Sequence, residues 1–101
     1  MDVSFSSSKL EKVLTSDREL KKKYQMQWVP KIKMRLKELE IAETLEELRH
    51  GPGHWHPLTG NLAPMWAGEI SGNFRMLVTP GPGGDAAEVT AVTVEDIDDY
   101  H

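Results

Sequence analysis

The chain has 101 residues, of which 39% are hydrophobic and 28% charged, and it contains no cysteine. This length suits one domain with a single small core, and the composition is globular rather than disordered or fibrous. The lack of cysteine excludes disulfides, a thiolate nucleophile and a cysteine-ligated zinc site. The sequence shows neither a signal-peptide pattern nor a bilayer-spanning apolar run. We therefore expect one domain, residues 1–101, in the cytoplasm and without a membrane partner.

The net charge of −4 is divided unevenly along the chain. Residues 1–50 carry eleven Lys or Arg against nine Asp or Glu, whereas residues 51–101 carry one against seven. An acidic chain is a poor non-specific DNA binder, but clustered cations can form a local patch for phosphates. The basic side chains cluster at Lys21, Lys22, Lys23, Lys31, Lys33, Arg35 and Lys37. Lysine runs on helices are more often solvated faces, so both interpretations stay open here.

The N-terminal third predicts a short strand followed by helices. The stretch "VSF" at residues 3–5 favours a strand, and the serines after it are N-cap candidates for a helix over residues 9–14. Ser16 or Asp17 can cap the segment "RELKKKYQMQW". A proline is tolerated only in a first turn or at a break, so a helical segment should restart at Pro30.

The strongest helical pattern follows that proline. Apolar residues at the three-to-four spacing of an amphipathic helix are Ile32, Leu36 and Leu39. Further on, Thr44 and Glu47 form a capping-box pattern for the short turn "LEELRH", which the "GPG" at residues 51–53 must end.

After residue 53 the sequence changes to short apolar stretches separated by turn residues, which is typical of antiparallel strands. The predicted strands are "HWHPL", "MWAGEI", "FRMLV" and "EVTAVTVEDI". "SGN" predicts a hairpin turn because Gly72 and Asn73 tolerate positive φ. "TPGPGGDA" predicts a longer loop. We predict an α+β fold with an N-terminal strand and two to three helices packed on one face of a mostly antiparallel sheet.

The histidines allow a metal site to be considered. His54 and His56 are two residues apart in a predicted strand and should point to the same face. A metal would need a third ligand, such as His101 or a carboxylate. A histidine pair beside Gly and Pro is more often a surface-loop feature, so we predict no metal site and no cofactor.

Arg75 is the only Lys or Arg after residue 50, and it lies in a predicted strand. A cation there is costly to bury unless it is paired. The residues support two readings equally, a structural ion pair with Asp98 or Asp99 and the binding of an anionic substrate. Metal-free RNA cleavage needs proton donors and acceptors and a fixed cation for the phosphate. His56 and His101 can exchange protons near neutral pH, and Arg75 can contact two phosphate oxygens.

The motifs of the second half stand in an order that resembles one family. The segments "WHPLTGNLAPMWAGEISGNFRMLV" and "EVTAVTVEDIDDYH" resemble the HigB branch of the RelE/ParE superfamily, the toxins of bacterial type II toxin–antitoxin modules. Upstream, "RLKELEIAETLEELRHGPG" is similar to the matching segment of that family. The resemblance covers nearly the whole chain and is weakest at its N-terminal end.

The resemblance implies a RelE-like fold and a ribosome-dependent mRNA interferase. Such an enzyme is a metal-independent endoribonuclease that cleaves mRNA in the ribosomal A site through attack by a 2′-hydroxyl. The resemblance also implies a helix-turn-helix antitoxin of the HigA type, with operator DNA bound only through that antitoxin.

By motif position, the resemblance assigns the catalytic site to His56, Arg75, Asp99, Tyr100 and His101. Arg75 would stabilise the phosphate, and His56 or His101 would act as acid or base. Asp99 would orient a histidine, and Tyr100 would stack on or hydrogen-bond to the substrate.

The expected RNA contacts combine cations with one aromatic residue. Trp55, Trp66 and Phe74 favour core positions, and Trp55 alone is a candidate for stacking on a base. The predicted RNA-binding residues are Lys21, Lys22, Lys23, Lys31, Lys33, Trp55 and Thr59.

The sequence departs from the family pattern around the "HPL" motif. Thr59 stands where the family has a lysine, and Asn61 and Leu62 stand where it has an acid and an arginine. Phosphate contacts supply much of the affinity for RNA, so these changes should weaken RNA binding. The basic helical face can compensate by docking on rRNA, or it can bind the acidic surface of an antitoxin.

Two other functions are left open. A ParE-like gyrase inhibitor would share the fold, but the terminal "DYH" argues against it. A non-toxic module that binds the antitoxin and regulates its own expression is favoured by Thr59.

Overall fold

A five-stranded sheet with three helices makes up residues 1–99, the part of the chain that the computed structural model describes. The strands are β1 (Asp2–Phe5), β2 (His56–Pro57), β3 (Trp66–Ser71), β4 (Phe74–Pro80) and β5 (Ala91–Asp99). The helices are α1 (Ser8–Leu14), α2 (Asp17–Lys23) and α3 (Val29–Ile41). Short 3₁₀ turns cover Leu45–His50, Gly60–Leu62 and Ala86–Glu88. The predicted α+β class with a mostly antiparallel sheet is confirmed. Across residues 1–99, no helix combines the length and apolarity needed to cross a membrane.

Local capping signals explain where the helices begin. The Ser7 side chain accepts a hydrogen bond from the Leu10 amide at the start of α1, and Ser16 caps α2 in the same way. Pro30 lies in the first turn of α3, where its missing N–H costs nothing. The segment "YQMQW" was predicted to continue α2, but α2 ends at Lys23. The capping box of Thr44 and Glu47 is present as predicted.

The sheet has the strand order β1-β5-β4-β3-β2. β1 is parallel to β5, and the other pairs are antiparallel. Gly72 takes φ +52° in the tight turn between β3 and β4, as the "SGN" motif predicts. Two predicted boundaries are wrong. "HWHPL" contributes only the two residues of β2, and the last strand begins at Ala91 because residues 86–88 form a 3₁₀ turn.

The main core lies between the helices and one face of the sheet. The strands supply Trp66, Ile70, Met76, Val78, Val92 and Val94 to it, and the helices supply Leu10, Leu14, Leu20, Ile32 and Leu39. A smaller cluster on the other face joins Leu58, Ala67 and Leu77. That second face is therefore covered only in part, and we call it the open face.

A tryptophan from the loop before β2 packs directly on the backbone of β3. A Cβ built on Gly68 would lie 2.6 Å from the indole of Trp55, which is only 2% exposed. No side chain other than hydrogen fits at that contact, so Gly68 fixes how closely the loop approaches the strand.

Replacement of Gly68 by alanine should therefore destabilise the fold by roughly 1–3 kcal/mol through overpacking. Gly51→Ala is the matched control, since its backbone φ is −94° and a Cβ there meets no atom closer than 3.6 Å. Urea unfolding of both variants measures the difference. Equal midpoints for Gly68→Ala and Gly51→Ala would show that the indole contact is not tight.

Candidate functional site

Arg75 lies on the open face of the sheet. Its neighbours in β4, Phe74 and Met76, both pack against the helix side, and alternation along the strand directs Arg75 the other way. The register sets Glu69 of β3 and Asp98 of β5 directly opposite it. Arg75 is thus flanked by a carboxylate residue on each side.

The guanidinium of Arg75 bonds to backbone rather than to those carboxylates. Nη1 donates to the carbonyl of Gly72 and, at 3.0 Å, to the carbonyl of Phe74. Within residues 1–99, no carboxylate forms an ion pair with it. The Nε–Nη2 edge bonds to no described residue, and this edge is the fork that binds phosphate in a bidentate manner. The predicted structural ion pair of Arg75 with Asp98 or Asp99 is therefore not formed.

The two aspartates at the end of β5 point to different faces. Asp98 is opposite Arg75, whereas Asp99 is opposite Phe74, whose ring packs 4.5 Å from that of Trp28 on the helix side. Asp98 is therefore the aspartate that the register sets beside Arg75 on the open face. The predicted catalytic residues Tyr100 and His101 lie outside the described residues.

A histidine and a glutamate form an ion pair near Arg75. His54 Nδ1 lies 2.9 Å from Glu69 Oε2, and the imidazole is 74% exposed. His54 takes φ +52°, an uncommon value for a residue with a side chain. His56, in β2, is exposed, and its Nδ1 lies 2.9 Å from the backbone oxygen of His54. The expectation that both histidines lie on one strand is wrong, because His54 precedes β2.

The carboxylate of Glu69 is held in its ionised form. Its pKa is lowered chiefly by the hydrogen bond from His54. Burial opposes this lowering, and the charges of His54, Arg75 and Lys31 lower the pKa further. Glu69 therefore acts only as a hydrogen-bond acceptor near neutral pH.

A buried arginine anchors this loop to β3. Arg35 of α3 is 4% exposed; its Nε donates to the Glu69 carbonyl at 2.7 Å and its Nη1 to the Glu38 carboxylate at 2.7 Å. The other Glu38 oxygen accepts from the Trp55 indole at 2.9 Å. The Glu69 amide in turn donates to the Gly53 carbonyl at 2.9 Å. We call this set, Arg35, Glu38, Gly53, Trp55 and Glu69, the loop anchor.

The loop anchor corrects two expectations. Trp55 was a candidate for base stacking, but it is buried and its indole N–H is used inside the fold. Arg35 was counted with the basic helical face, but it is buried as well. The signal for Arg35 was present in the sequence: it lies three residues after Ile32 and four before Leu39, on the apolar stripe of α3.

The remaining predicted RNA-binding residues are spread over the surface. Lys21, Lys22 and Lys23 form the exposed last turn of α2, and Thr59 is the exposed N-cap of a 3₁₀ turn. Lys33 is paired with Asp17 at 2.8 Å. Lys31 is exposed and lies close enough to Glu69 to lower its pKa. Among these residues, Lys31 therefore lies near the site, whereas the lysines of α2 form a separate surface.

Among residues 1–99, metal-ligating side chains do not gather in this region. Residues 1–99 contain no group of three or more His, Asp or Glu side chains placed to hold a metal ion. The cluster on the open face consists instead of His54, His56, Glu69, Arg75 and Asp98. Guanidinium and imidazole groups without a metal suit the binding of an anion and the transfer of protons.

No family model matches the sequence, and no curated protein does. The chain does resemble two solved structures. One is the YoeB/ParE toxin from Agrobacterium tumefaciens, with a TM-score of 0.64 and 18% identity over 100% of both chains. The other is the YoeB-YefM complex from Staphylococcus aureus, with a TM-score of 0.61 and 19% identity over 100% of this chain and 97% of that one. The fold is that of the YoeB/ParE toxins. At these identities the likeness extends to the fold, and the HigB branch stays a prediction from the sequence.

The loop anchor predicts a large effect of Arg35. Arg35→Met should destabilise the protein by roughly 3–5 kcal/mol, because it leaves the Glu38 carboxylate and the Glu69 carbonyl without their buried partner. Lys37→Met is the control, since Lys37 is exposed on the same helix. Denaturant unfolding measures both changes. A loss below about 1 kcal/mol for Arg35→Met would mean that the anchor adds little to stability.

The lowered pKa of Glu69 predicts a pH dependence of stability. A carboxylate whose pKa is lowered by folding stabilises the fold above its ordinary value of 4.5 and loses that contribution as the pH falls through the lowered pKa. Wild type should exceed Glu69→Gln by at most about 1 kcal/mol at about pH 6, because this exposed pair is screened, and the gap should close towards about pH 2. Unfolding free energies measured across this range check the prediction. A gap that does not change with pH would contradict it.

Proposed function

We propose that this protein is the toxin of a type II toxin–antitoxin system and that it cleaves mRNA on the ribosome. The proposal rests mainly on the position and the contacts of Arg75. Its guanidinium lies on the open face, forms no ion pair within residues 1–99 and keeps its Nε–Nη2 edge available for a phosphate. The likeness to the YoeB/ParE toxin fold supports the same class of function.

The proposed reaction needs no metal. A base removes the proton of a ribose 2′-hydroxyl, the 2′-oxygen bonds to the adjacent phosphorus, and the bond to the 5′-oxygen breaks as that oxygen receives a proton. Arg75 stabilises the extra negative charge on the phosphate. His56 is exposed beside the site, and the proposed roles of Asp99, Tyr100 and His101 rest on the family resemblance. The products are a 2′,3′-cyclic phosphate and a free 5′-hydroxyl.

We further propose that a helix-turn-helix antitoxin holds the protein inactive. One solved structure with this fold is a YoeB-YefM complex, which supports a protein partner for this chain. The exposed lysines at the end of α2 offer a surface for an acidic partner. Operator DNA would then be contacted through the antitoxin rather than by this acidic chain.

Loss of the Arg75 side chain should abolish toxicity. Arg75→Ala is expected to slow single-turnover cleavage of mRNA on programmed ribosomes by about 10²–10³-fold, because one fixed charge at the transition state is worth that much. Primer extension on the ribosome-bound mRNA measures the cleavage, and growth after induction measures toxicity. Arg18→Ala, an exposed arginine on α2, is the matched control and should leave both unchanged.

The same assays separate the rival functions. Growth arrest with intact mRNA and with broken chromosomal DNA would show that the protein is a gyrase inhibitor rather than a nuclease. Normal growth with retained antitoxin binding would leave a non-toxic regulatory module. Either result would overturn the proposed mRNA cleavage.

A further inference from the structure

His54 and Glu69 form a pair that the family resemblance did not include. We infer that His54 is the general base of the reaction and that Glu69 is its positioning residue. This inference rests on the proposed function, since it names the group that accepts the 2′-hydroxyl proton. Three observations carry it: the geometry of the pair, the fixation of both residues, and the position of the pair beside Arg75.

The contact with Glu69 selects one tautomer of the imidazole. A carboxylate in its ionised form has no proton to donate, so the nitrogen that faces it must carry one. His54 Nδ1 lies 2.9 Å from Glu69 Oε2 and is therefore the donor. In the neutral ring, the lone pair is then on Nε2, on the side of the ring away from Glu69. The imidazole is 74% exposed, so a substrate can reach that nitrogen.

The pair is fixed through the backbone of both partners. The Glu69 amide donates to the carbonyl of Gly53, the residue before His54, and the Glu69 carbonyl accepts from buried Arg35. His54 itself takes φ +52°, a conformation that a side chain disfavours and that surrounding contacts must impose. Strained, well-anchored positions of this kind are typical of functional sites rather than of freely moving surface loops.

The charged groups around the pair suit proton transfer next to a phosphate. Arg75 of β4 is directly opposite Glu69 in the sheet register, and Asp98 of β5 is opposite Arg75. Lys31 of α3 acts on Glu69 through its charge. His56 of β2 is joined to the backbone oxygen of His54 at 2.9 Å. A phosphate bound by Arg75 would therefore lie beside an imidazole whose orientation is already set.

The step balances in protons and bonds. Nε2 of His54 takes the proton of the 2′-hydroxyl while the 2′-oxygen bonds to phosphorus. The bond from phosphorus to the 5′-oxygen breaks, and His56 or water returns a proton to that oxygen. Glu69 stabilises the imidazolium that forms, in the way that a carboxylate supports a catalytic histidine.

His54→Gly provides a sharp test because glycine accepts positive φ without strain, so the variant should still fold. We expect its single-turnover cleavage on programmed ribosomes to fall by about 10²–10⁴-fold. The limb of the pH–rate profile that reports the imidazole should disappear. Added imidazole should restore part of the rate, which a purely structural role would not allow. His50→Gln, an exposed histidine outside the site, is the control and should behave as wild type.

The outcomes distinguish this inference from the function on which it rests. Wild-type cleavage by His54→Gly, together with an inactive Arg75→Ala, would overturn the role of His54 and keep the nuclease. An unaltered pH–rate profile in a slow His54→Gly, without rescue by imidazole, would likewise overturn it. A wild-type protein that cleaves no mRNA on ribosomes overturns both proposals.

Discussion

The buried guanidinium of Arg35 is the interaction on which the open face depends. A charge with 4% exposure is tolerated only when its hydrogen bonds are satisfied, and both nitrogens used here have acceptors at 2.7 Å. Those acceptors belong to α3 and to β3, so one side chain joins a helix to the sheet. Through Glu38 the same network reaches the indole of Trp55. Helix, strand and loop are therefore held by one set of partners that must form together.

The consequence for the site is geometric. Between residues 53 and 56 the chain has little secondary structure of its own, since β2 contains two residues. Its position comes instead from the indole of Trp55 packed on Gly68 and from the hydrogen bond between Glu69 and Gly53. Both contacts end on β3, the strand that pairs with the strand of Arg75. His54 and His56 are thus positioned through contacts with the sheet, and defined positions are what a functional site requires.

Local rules predicted the elements well and the site in part. Caps at Ser7 and Thr44 depend on neighbouring residues, so the sequence alone reveals them. The partner of Arg75 does not follow from such rules. A regular two-residue turn that pairs Ser71 with Phe74 would set Ile70 opposite Arg75, but a register shift between residues 69 and 71 sets Glu69 there. That bulge lets Ile70 stay in the core and turns Glu69 to the open face. It depends on tertiary packing that no short motif encodes.

The uneven charge of the two halves now has a structural meaning. The strands of the second half set Glu69 and Asp98 on either side of Arg75. These two carboxylates repel the phosphates of a polyanion other than the one that the guanidinium can bind. Under the proposed function, affinity for RNA would then come from cations of the first half, which lie on the helices. Lys31 stands at the boundary, on a helix yet close enough to Glu69 to act on its charge. The proposed RNA binding and the proposed chemistry are thereby divided between the two halves, and a substrate that contacts only the sheet would be held weakly. This division favours a large target that contacts the helices and the open face together over a short free RNA.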